Sequence, residues 1–202
     1  PFPANDGSSI AIANLSLGLA DNGIDLHLLT INTKKHFKAD EKIDTFIKEK
    51  THYQSVYKDT NPSIIGAFIN LFSRHSYFVT RFYFSEFEQA LIQVLKTKTF
   101  DIVQLEGVFM ASYVPIIKKY SKSKITLRAH NVEHQIWDRL LLQEKSFIKK
   151  AYLSLQNKRL KNFELKAFAK CDAIVTITDI DKQTIKRLMP LQKIETCLTG
   201  LN

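Results

Sequence analysis

The stretch that decides the fold is ITLRAHNVE, residues 125–133, where an apolar run ends in polar side chains. Its first three residues are typical of a buried strand, and a helical pattern resumes from residue 134. Arg128, His130, Asn131 and Glu133 therefore follow the end of a strand. In an open α/β sheet ligands bind outside the carboxyl ends of the strands, so these side chains can converge on one polar substrate. The alternative is an ordinary strand-to-helix turn, in which Asn131 caps the helix and Glu133 favours its N-terminus.

A second strand is predicted to end at the same edge of the sheet. The run FDIVQLEG, residues 100–107, is apolar in its middle and has a glycine breaker at its carboxyl end. Glu106 is the last residue before that glycine, so its carboxylate is predicted to face the same crevice as His130. The alternative is that Glu106 only caps the helix that follows.

Strand and helix patterns alternate along the chain. Apolar periodicity predicts helices around residues 12–19, 40–50, 85–95, 134–170 and 179–188, and strands at 24–28, 55–57, 100–106, 125–127, 171–178 and 194–199. Asp179 is the predicted cap of the last helix. Because parallel strands need crossover helices, this order predicts an α/β fold, a Rossmann-like doubly wound, mostly parallel sheet flanked by helices.

Composition narrows the class of protein and its partners. The chain has 202 residues, 45% of them hydrophobic and 24% charged, which suits one well-filled globular domain and argues against disorder. Its formal charge of +9 favours anionic partners: phosphates, nucleotides, nucleic acid or an acidic lipid surface. Cys171 and Cys197 lie beside apolar runs without short Cys/His spacing, so we expect buried thiols, no disulfide and no metal. The absence of a membrane-spanning apolar run and of a signal-peptide pattern predicts a cytoplasmic location.

The segment RHSYFVTRFYF, residues 74–84, alternates aromatic and cationic side chains. Such a segment can face lipid headgroups, stack on nucleic-acid bases, or pack into the core with its arginines reaching solvent. Packing into the core is the commoner outcome. Contact with an anionic membrane from the cytoplasmic side stays a hypothesis.

The string RAHNVEH, residues 128–134, followed by Trp137 and Arg139, resembles the His-Asn-Val-Glu segment of one branch of the family-4 glycosyltransferases. Three more segments resemble that family: the Pro-rich, Gly-containing loop at residues 3–7, the Phe-Asp strand at 100–106, and the turn TGLN at 199–202. The resemblance covers nearly the whole chain, as the N-terminal half of a GT-B enzyme.

The resemblance implies roles for single residues. His130 matches the family's histidine that contacts the donor sugar near the reaction centre, and Gly7 matches the loop on the phosphate side. A residue without Cβ lets backbone approach a ligand, beside a helix N-terminus that favours anions. Asp6 stands where the family usually has a second glycine. The other expected substrate- or donor-binding residues are Glu106, Arg128, Asn131 and Glu133, with Arg128 alternatively pairing with Glu133.

The implied function is transfer of a sugar, with retention, from a nucleotide-sugar to a glycan or lipid-linked acceptor in bacterial cell-envelope or exopolysaccharide assembly. Residues 1–199 would form the acceptor-side domain, lacking its first strand, and residues 200–202 would begin the linker to a nucleotide-sugar-binding domain. No cofactor is expected, and residues 1–202 alone are expected to be inactive. The alternative is a non-catalytic α/β domain that binds anions, nucleic acid or sugars; nucleic acid is not expected because no recognition motif is present.

Overall fold

The computed structural model describes residues 7–34, 37, 43 and 45–198. In this part of the chain the helices are α1 (Gly7–Asp21), α2 (Thr45–Lys50), α3 (Ile64–Asn70), α4 (Tyr77–Thr80), α5 (Ser85–Thr97), α6 (Val114–Tyr120), α7 (Glu133–Gln143), α8 (Phe147–Lys170) and α9 (Asp179–Leu188). The strands are β1 (Leu29–Thr33), β2 (Gln54–Lys58), β3 (Ile102–Glu106), β4 (Lys124–Ala129), β5 (Ala173–Thr176) and β6 (Ile194–Thr196). A 3₁₀ helix, Val108–Tyr113, leads into α6.

Every strand pairing in the described residues is parallel, which confirms the predicted α/β architecture. The strands form two sheets: β1 pairs with β2, and the other four follow the order β3-β4-β5-β6. The register places Glu106, at the end of β3, beside Arg128 of β4. The predicted polar residues therefore share one edge of the four-stranded sheet.

One large hydrophobic core lies between the four-stranded sheet and the helices that cross over it. The predicted apolar face of α5 is confirmed, because Phe87, Leu91 and Leu95 are its buried residues. Side chains of β1 and β2 are partly buried against the same core, so the two sheets share it. The most deeply buried apolar residues of the sheet and of α8 and α9 are Leu127, Ile174, Leu160, Phe168 and Ile185.

Several local predictions were wrong. The strand expected at 24–28 begins instead at Leu29, because Ile24 still bonds back to Leu19 in the turn that ends α1 and the pairing with β2 covers only Leu29–Thr33. Thr178, not Asp179, caps α9, since its hydroxyl accepts from the Asp181 amide.

The predictions for the two cysteines and for the aromatic segment were confirmed in part. Cys171 is buried as expected, whereas Cys197 is exposed beyond the end of β6. In the segment 74–84, Phe78, Val79 and Phe84 are buried, so the alternative of core packing holds for these residues.

Helix α8 is the longest described helix and carries a stripe of buried polar groups that bind its neighbours. Gln156 accepts from the Tyr77 amide at 2.7 Å and donates to Asn70 at 3.0 Å. Arg159 donates to the carbonyls of Asn70 and Leu71, both at 3.0 Å. These bonds fix α3 and α4 against the middle of α8.

Helix α3 turns its apolar residues outward. Its only buried residue is Asn70, while Ile64, Ile65, Phe68 and Ile69 are all exposed. No helix in the described ranges has both the length and the apolar content to cross a membrane. The apolar face of α3 is thus a surface feature.

Two isoleucines on α9 allow the contribution of the core to be measured. Ile185 is fully buried and Ile180 is 77% exposed. We expect Ile185→Ala to lower the free energy of unfolding by about 2–5 kcal/mol, because it leaves a cavity in a packed core. The matched control Ile180→Ala should change it by less than about 1 kcal/mol. Urea unfolding followed by circular dichroism measures both, and equal effects would contradict the assignment of this face of α9 to the core.

Candidate active site

Three predicted site residues form one charged cluster at the carboxyl ends of β3 and β4. The Glu106 carboxylate lies 2.7 Å from His130 Nε2 and 3.6 Å from an Arg128 guanidinium nitrogen. The Arg128 side chain is 2% exposed and His130 8%, so the cluster is largely shielded from water. Glu106 therefore does not cap the following helix, and Arg128 pairs with Glu106 rather than with Glu133. A shielded carboxylate between two bases holds both in fixed orientations.

The chain turns sharply after Glu106 because a glycine follows it. Gly107 has φ +88°, a conformation that other residues rarely adopt, and its amide donates to the Arg128 carbonyl at 2.9 Å. This bond continues the β3–β4 pairing by one residue beyond the strands. It keeps the ends of the two strands, and hence Glu106 and His130, side by side.

Arg128 also reaches the first helix. Its Nη1 donates to the Ala11 carbonyl of α1 at 3.3 Å. Gly7 is the first residue of α1, about one turn before Ala11, so it lies on the helix that the cluster holds. Gly7 is exposed, and a Cβ built on it would meet nothing within 4 Å, so no neighbour within the described chain requires a glycine there. Residues 3–6 of the predicted phosphate-side loop lie outside the described residues.

Asn131 and Glu133 form a second part of the site, at the start of α7. The alternative in which Asn131 caps α7 is wrong, because Val132 occupies the N-cap position and makes no side-chain cap hydrogen bond. Glu164, from the middle of α8, satisfies the free amides of α7. Its carboxylate accepts from the amides of Glu133 (2.8 Å) and His134 (3.4 Å) and from His134 Nδ1.

Glu133 has a strongly perturbed acidity. Its burial and the nearby charge of Glu164 raise the pKa of the Glu133 carboxyl from 4.5 to about 7, although the Asn131 hydrogen bond and His130 act in the opposite direction. A carboxyl with such a pKa is partly protonated at neutral pH. It can therefore either donate or accept a hydrogen bond beside His130.

Two nitrogen atoms of the charged cluster are buried without a hydrogen-bond partner in the described part of the chain. They are His130 Nδ1 and Arg128 Nε. Buried polar groups in folded proteins are nearly always hydrogen-bonded, so an unpaired one calls for an explanation. With Nε2 facing Glu106, the Nδ1 of His130 is the ring atom left for a further contact.

Glu164 belongs to the candidate site by its bonds to Glu133 and His134, and sequence analysis did not identify it. The segment 145–166 is rich in lysine, which is typical of a solvated helix face, yet Glu164 within it is fully buried. A signal was present, because Glu164 falls on the same helical stripe as Leu160, Ala167 and Phe168, which are buried too. A buried carboxylate on an apolar stripe needs hydrogen-bond donors from another element. One of these donors is the amide of Glu133, which lies 31 residues earlier in the sequence.

Comparison with protein families gives one match, which spans nearly the whole chain. The family described as Glycosyltransferase Family 4 matches residues 5–202. No curated protein and no solved structure matches the chain significantly. The matched range contains every predicted site residue.

The perturbed carboxyl predicts a pH dependence of stability. The folded protein keeps the Glu133 proton up to about pH 7, whereas the unfolded chain releases it near pH 4.5, so Glu133 stabilises the fold at low pH and this contribution is lost as the pH rises through that window. In Glu133→Gln, which mimics the protonated form, the melting temperature should fall less between about pH 5 and 7.5. Glu49→Gln, at an exposed position on α2, is the control. If the melting temperatures of wild type and Glu133→Gln fall by the same amount across this pH range, the raised pKa of Glu133 is contradicted.

Proposed function

Because this chain belongs to glycosyltransferase family 4, we propose that the protein transfers a sugar from a nucleotide-sugar donor to a glycan or lipid-linked acceptor, with retention at the anomeric carbon. The observation that carries the proposal is the shielded cluster of Glu106, Arg128 and His130 at the carboxyl edge of the sheet. Ligands of open α/β folds bind at this edge. A role in bacterial cell-envelope or exopolysaccharide assembly belongs to the same proposal.

His130 is the residue that we propose to contact the donor sugar. Glu106 orients the imidazole through Nε2, which leaves Nδ1 for a sugar hydroxyl. Because Nδ1 is buried, the ligand must displace the groups that cover it. An imidazole can donate or accept such a bond at neutral pH. A carboxylate that fixes the tautomer and orientation of a histidine is a common arrangement in enzymes.

The other site residues have supporting roles in this proposal. Arg128 offsets part of the phosphate charge of the donor, and α1, which begins at Gly7, presents its amides to the same charge. Asn131 and the partly protonated Glu133 supply a donor and an acceptor for the hydroxyls of a sugar.

We also propose that residues 1–199 form the acceptor-side domain of a larger GT-B enzyme, and that residues 200–202 lead into the domain that holds the nucleotide. The division of the described strands into two parallel sheets around one core supports a further strand between them. Most of the groups that bind the nucleotide diphosphate would then lie on the second domain, with Arg128 and α1 contributing from this one, so residues 1–202 alone should transfer no sugar.

The decisive experiment is a panel of nucleotide-sugars with glycan and lipid-linked acceptors, assayed with the full-length protein. We expect turnover by wild type, and a loss of at least about 100-fold in kcat/KM for His130→Ala, because a positioned imidazole contributes on that scale. His75→Ala, which removes an exposed histidine outside the site, should be fully active.

Different outcomes of the panel contradict different parts of the proposal. A His130→Ala variant with wild-type kcat/KM would remove His130 from the site. Turnover by residues 1–202 alone would contradict the two-domain arrangement. Absence of turnover and of any donor-induced thermal shift across the panel would favour the alternative of a non-catalytic binding domain.

A lipid-linked acceptor would bring the protein to a membrane surface, and we propose that α3 makes this contact from the cytoplasmic side. Ile64, Ile65, Phe68 and Phe72 are between 63% and 90% exposed. No acidic residue occurs between positions 59 and 86, while Arg74 is exposed just after the helix. The hairpin between α7 and α8 repeats this chemistry, with exposed apolar and basic side chains at Leu142, Lys145, Phe147, Ile148 and Lys150. An apolar face with flanking cations suits the interface of an anionic bilayer.

Flotation with vesicles tests the membrane surface. The protein should float with vesicles that contain phosphatidylglycerol and less with pure phosphatidylcholine vesicles. Phe68→Ser combined with Phe72→Ser should reduce the bound fraction at least about tenfold, because each phenylalanine contributes about 1.5–3 kcal/mol on burial. The control Leu191→Ser alters a fully exposed leucine outside this surface. Equal flotation of the double variant and the control would exclude α3 as the contact.

A further inference from the structure

A second group of potential ligands lies away from the candidate active site, just before the paired strands β1 and β2. Asp25 and His27 precede β1, and His52 follows α2. One ligand atom from each of them lies within 4.8 Å of the others. We propose that Asp25, His27 and His52 bind a divalent transition-metal ion of the Zn²⁺ class.

The two imidazole rings lie face to face beside one carboxylate. The rings of His27 and His52 stack with their centroids 4.3 Å apart and their planes 13° apart. Both Nε2 atoms face the same oxygen of Asp25, at 3.5 Å and 3.2 Å. Ligand atoms of tetrahedral Zn²⁺ stand about 3.3 Å apart, so the exposed Asp25 and His52 side chains would rotate on binding to reach this spacing and to point both ring nitrogens at one ion.

The ammonium of Lys98 already contacts two of the three proposed ligands. The Lys98 ammonium donates to Asp25 at 3.3 Å and lies 2.9 Å from His27 Nε2. Since an ammonium can only donate, His27 accepts this bond as a neutral imidazole.

The backbone of His52 adds an independent observation. His52 has φ +40°, and it is the only residue other than glycine with a positive φ in the part of the chain that the structure describes. It directly follows the last turn of α2, where Tyr53 bonds back to Lys48, a position at which glycine is usual. A side chain at this position costs about 1 kcal/mol relative to glycine. A ligand role for the imidazole explains why a side chain stands there.

The donor set indicates the class of metal. Two imidazole nitrogens and one carboxylate oxygen suit Zn²⁺, Ni²⁺, Cu²⁺ or Co²⁺ rather than Mg²⁺ or Ca²⁺, which prefer oxygen ligands. With three protein ligands, a tetrahedral ion keeps its fourth position for water. The proposed site differs from the expectation of no metal, which was based on the lack of short Cys/His spacing around Cys171 and Cys197.

The position of the ligands suggests a clamp rather than a second reaction centre. All three ligands lie in the segments that lead into β1 and β2, whereas Lys98 lies between α5 and β3. His27 also packs edge-on against Phe100, with 5.3 Å between ring centroids. A metal ion would tie the start of β1 to the start of β2, and its binding would release Lys98.

Calorimetric titration with ZnCl₂ tests the proposal without any sugar substrate, so its outcome does not depend on the glycosyltransferase assignment. The protein is the full-length chain, free of affinity tags and treated with a chelator. We expect one Zn²⁺ to bind wild type, with the affinity lowered at least about tenfold in His52→Gly and in Asp25→Asn. His52→Gly is well suited because glycine tolerates the local backbone, so the ligand is lost without strain.

Two further variants make the result unambiguous. Lys98→Met removes the competing ammonium, so it should bind Zn²⁺ more tightly than wild type. His75→Ala removes an exposed histidine elsewhere and should bind as wild type does. No binding of Zn²⁺ to wild type at micromolar concentrations, or equal binding to wild type, His52→Gly and Asp25→Asn, would overturn the proposal.

Discussion

The candidate site depends on the need of one buried carboxylate for hydrogen-bond donors. Glu164 has no exposed surface, and a charge in that position is tolerated only if it is fully bonded. The free amides at the start of α7 supply those bonds, so α7 begins at Glu133 without a capping side chain of its own. Burial of Glu133, together with this charge, raises the pKa of its carboxyl. Glu164 thus holds the backbone of the site's second acid and contributes to its protonation.

Helix α8 also connects the start of α7 with helices α3 and α4. Gln156 and Arg159 bind α3 and α4, and Glu164 holds α7 one to two turns further along. Trp137 of α7 also stacks on Phe78 of α4, with the two ring centroids 3.9 Å apart. The exposed apolar helix α3 and the start of α7 are therefore attached to the same helix, through side chains that are mostly buried.

The sequence predicts those parts of the molecule that depend on local patterns. Periodicity located most helices and strands, and the polar ends of β3 and β4 indicated Glu106, Arg128 and His130. The pairings within the site depend on distance in three dimensions. Nothing near Glu106 in the sequence indicates that it binds His130 rather than a helix end, and Glu164 is 31 residues from its partner amide. The division into two sheets likewise depends on which strands pair, and the periodicity of a strand does not indicate its partner.

The bond between Arg128 and Ala11 joins residues that are 117 positions apart. Closing so long a loop costs more chain entropy than forming the hairpin of α7 and α8, whose contacts are local. During synthesis α1 leaves the ribosome before β4, so this anchor cannot form until β4 has followed it. Helix α1 therefore stays without its bond to Arg128 while the intervening chain is made.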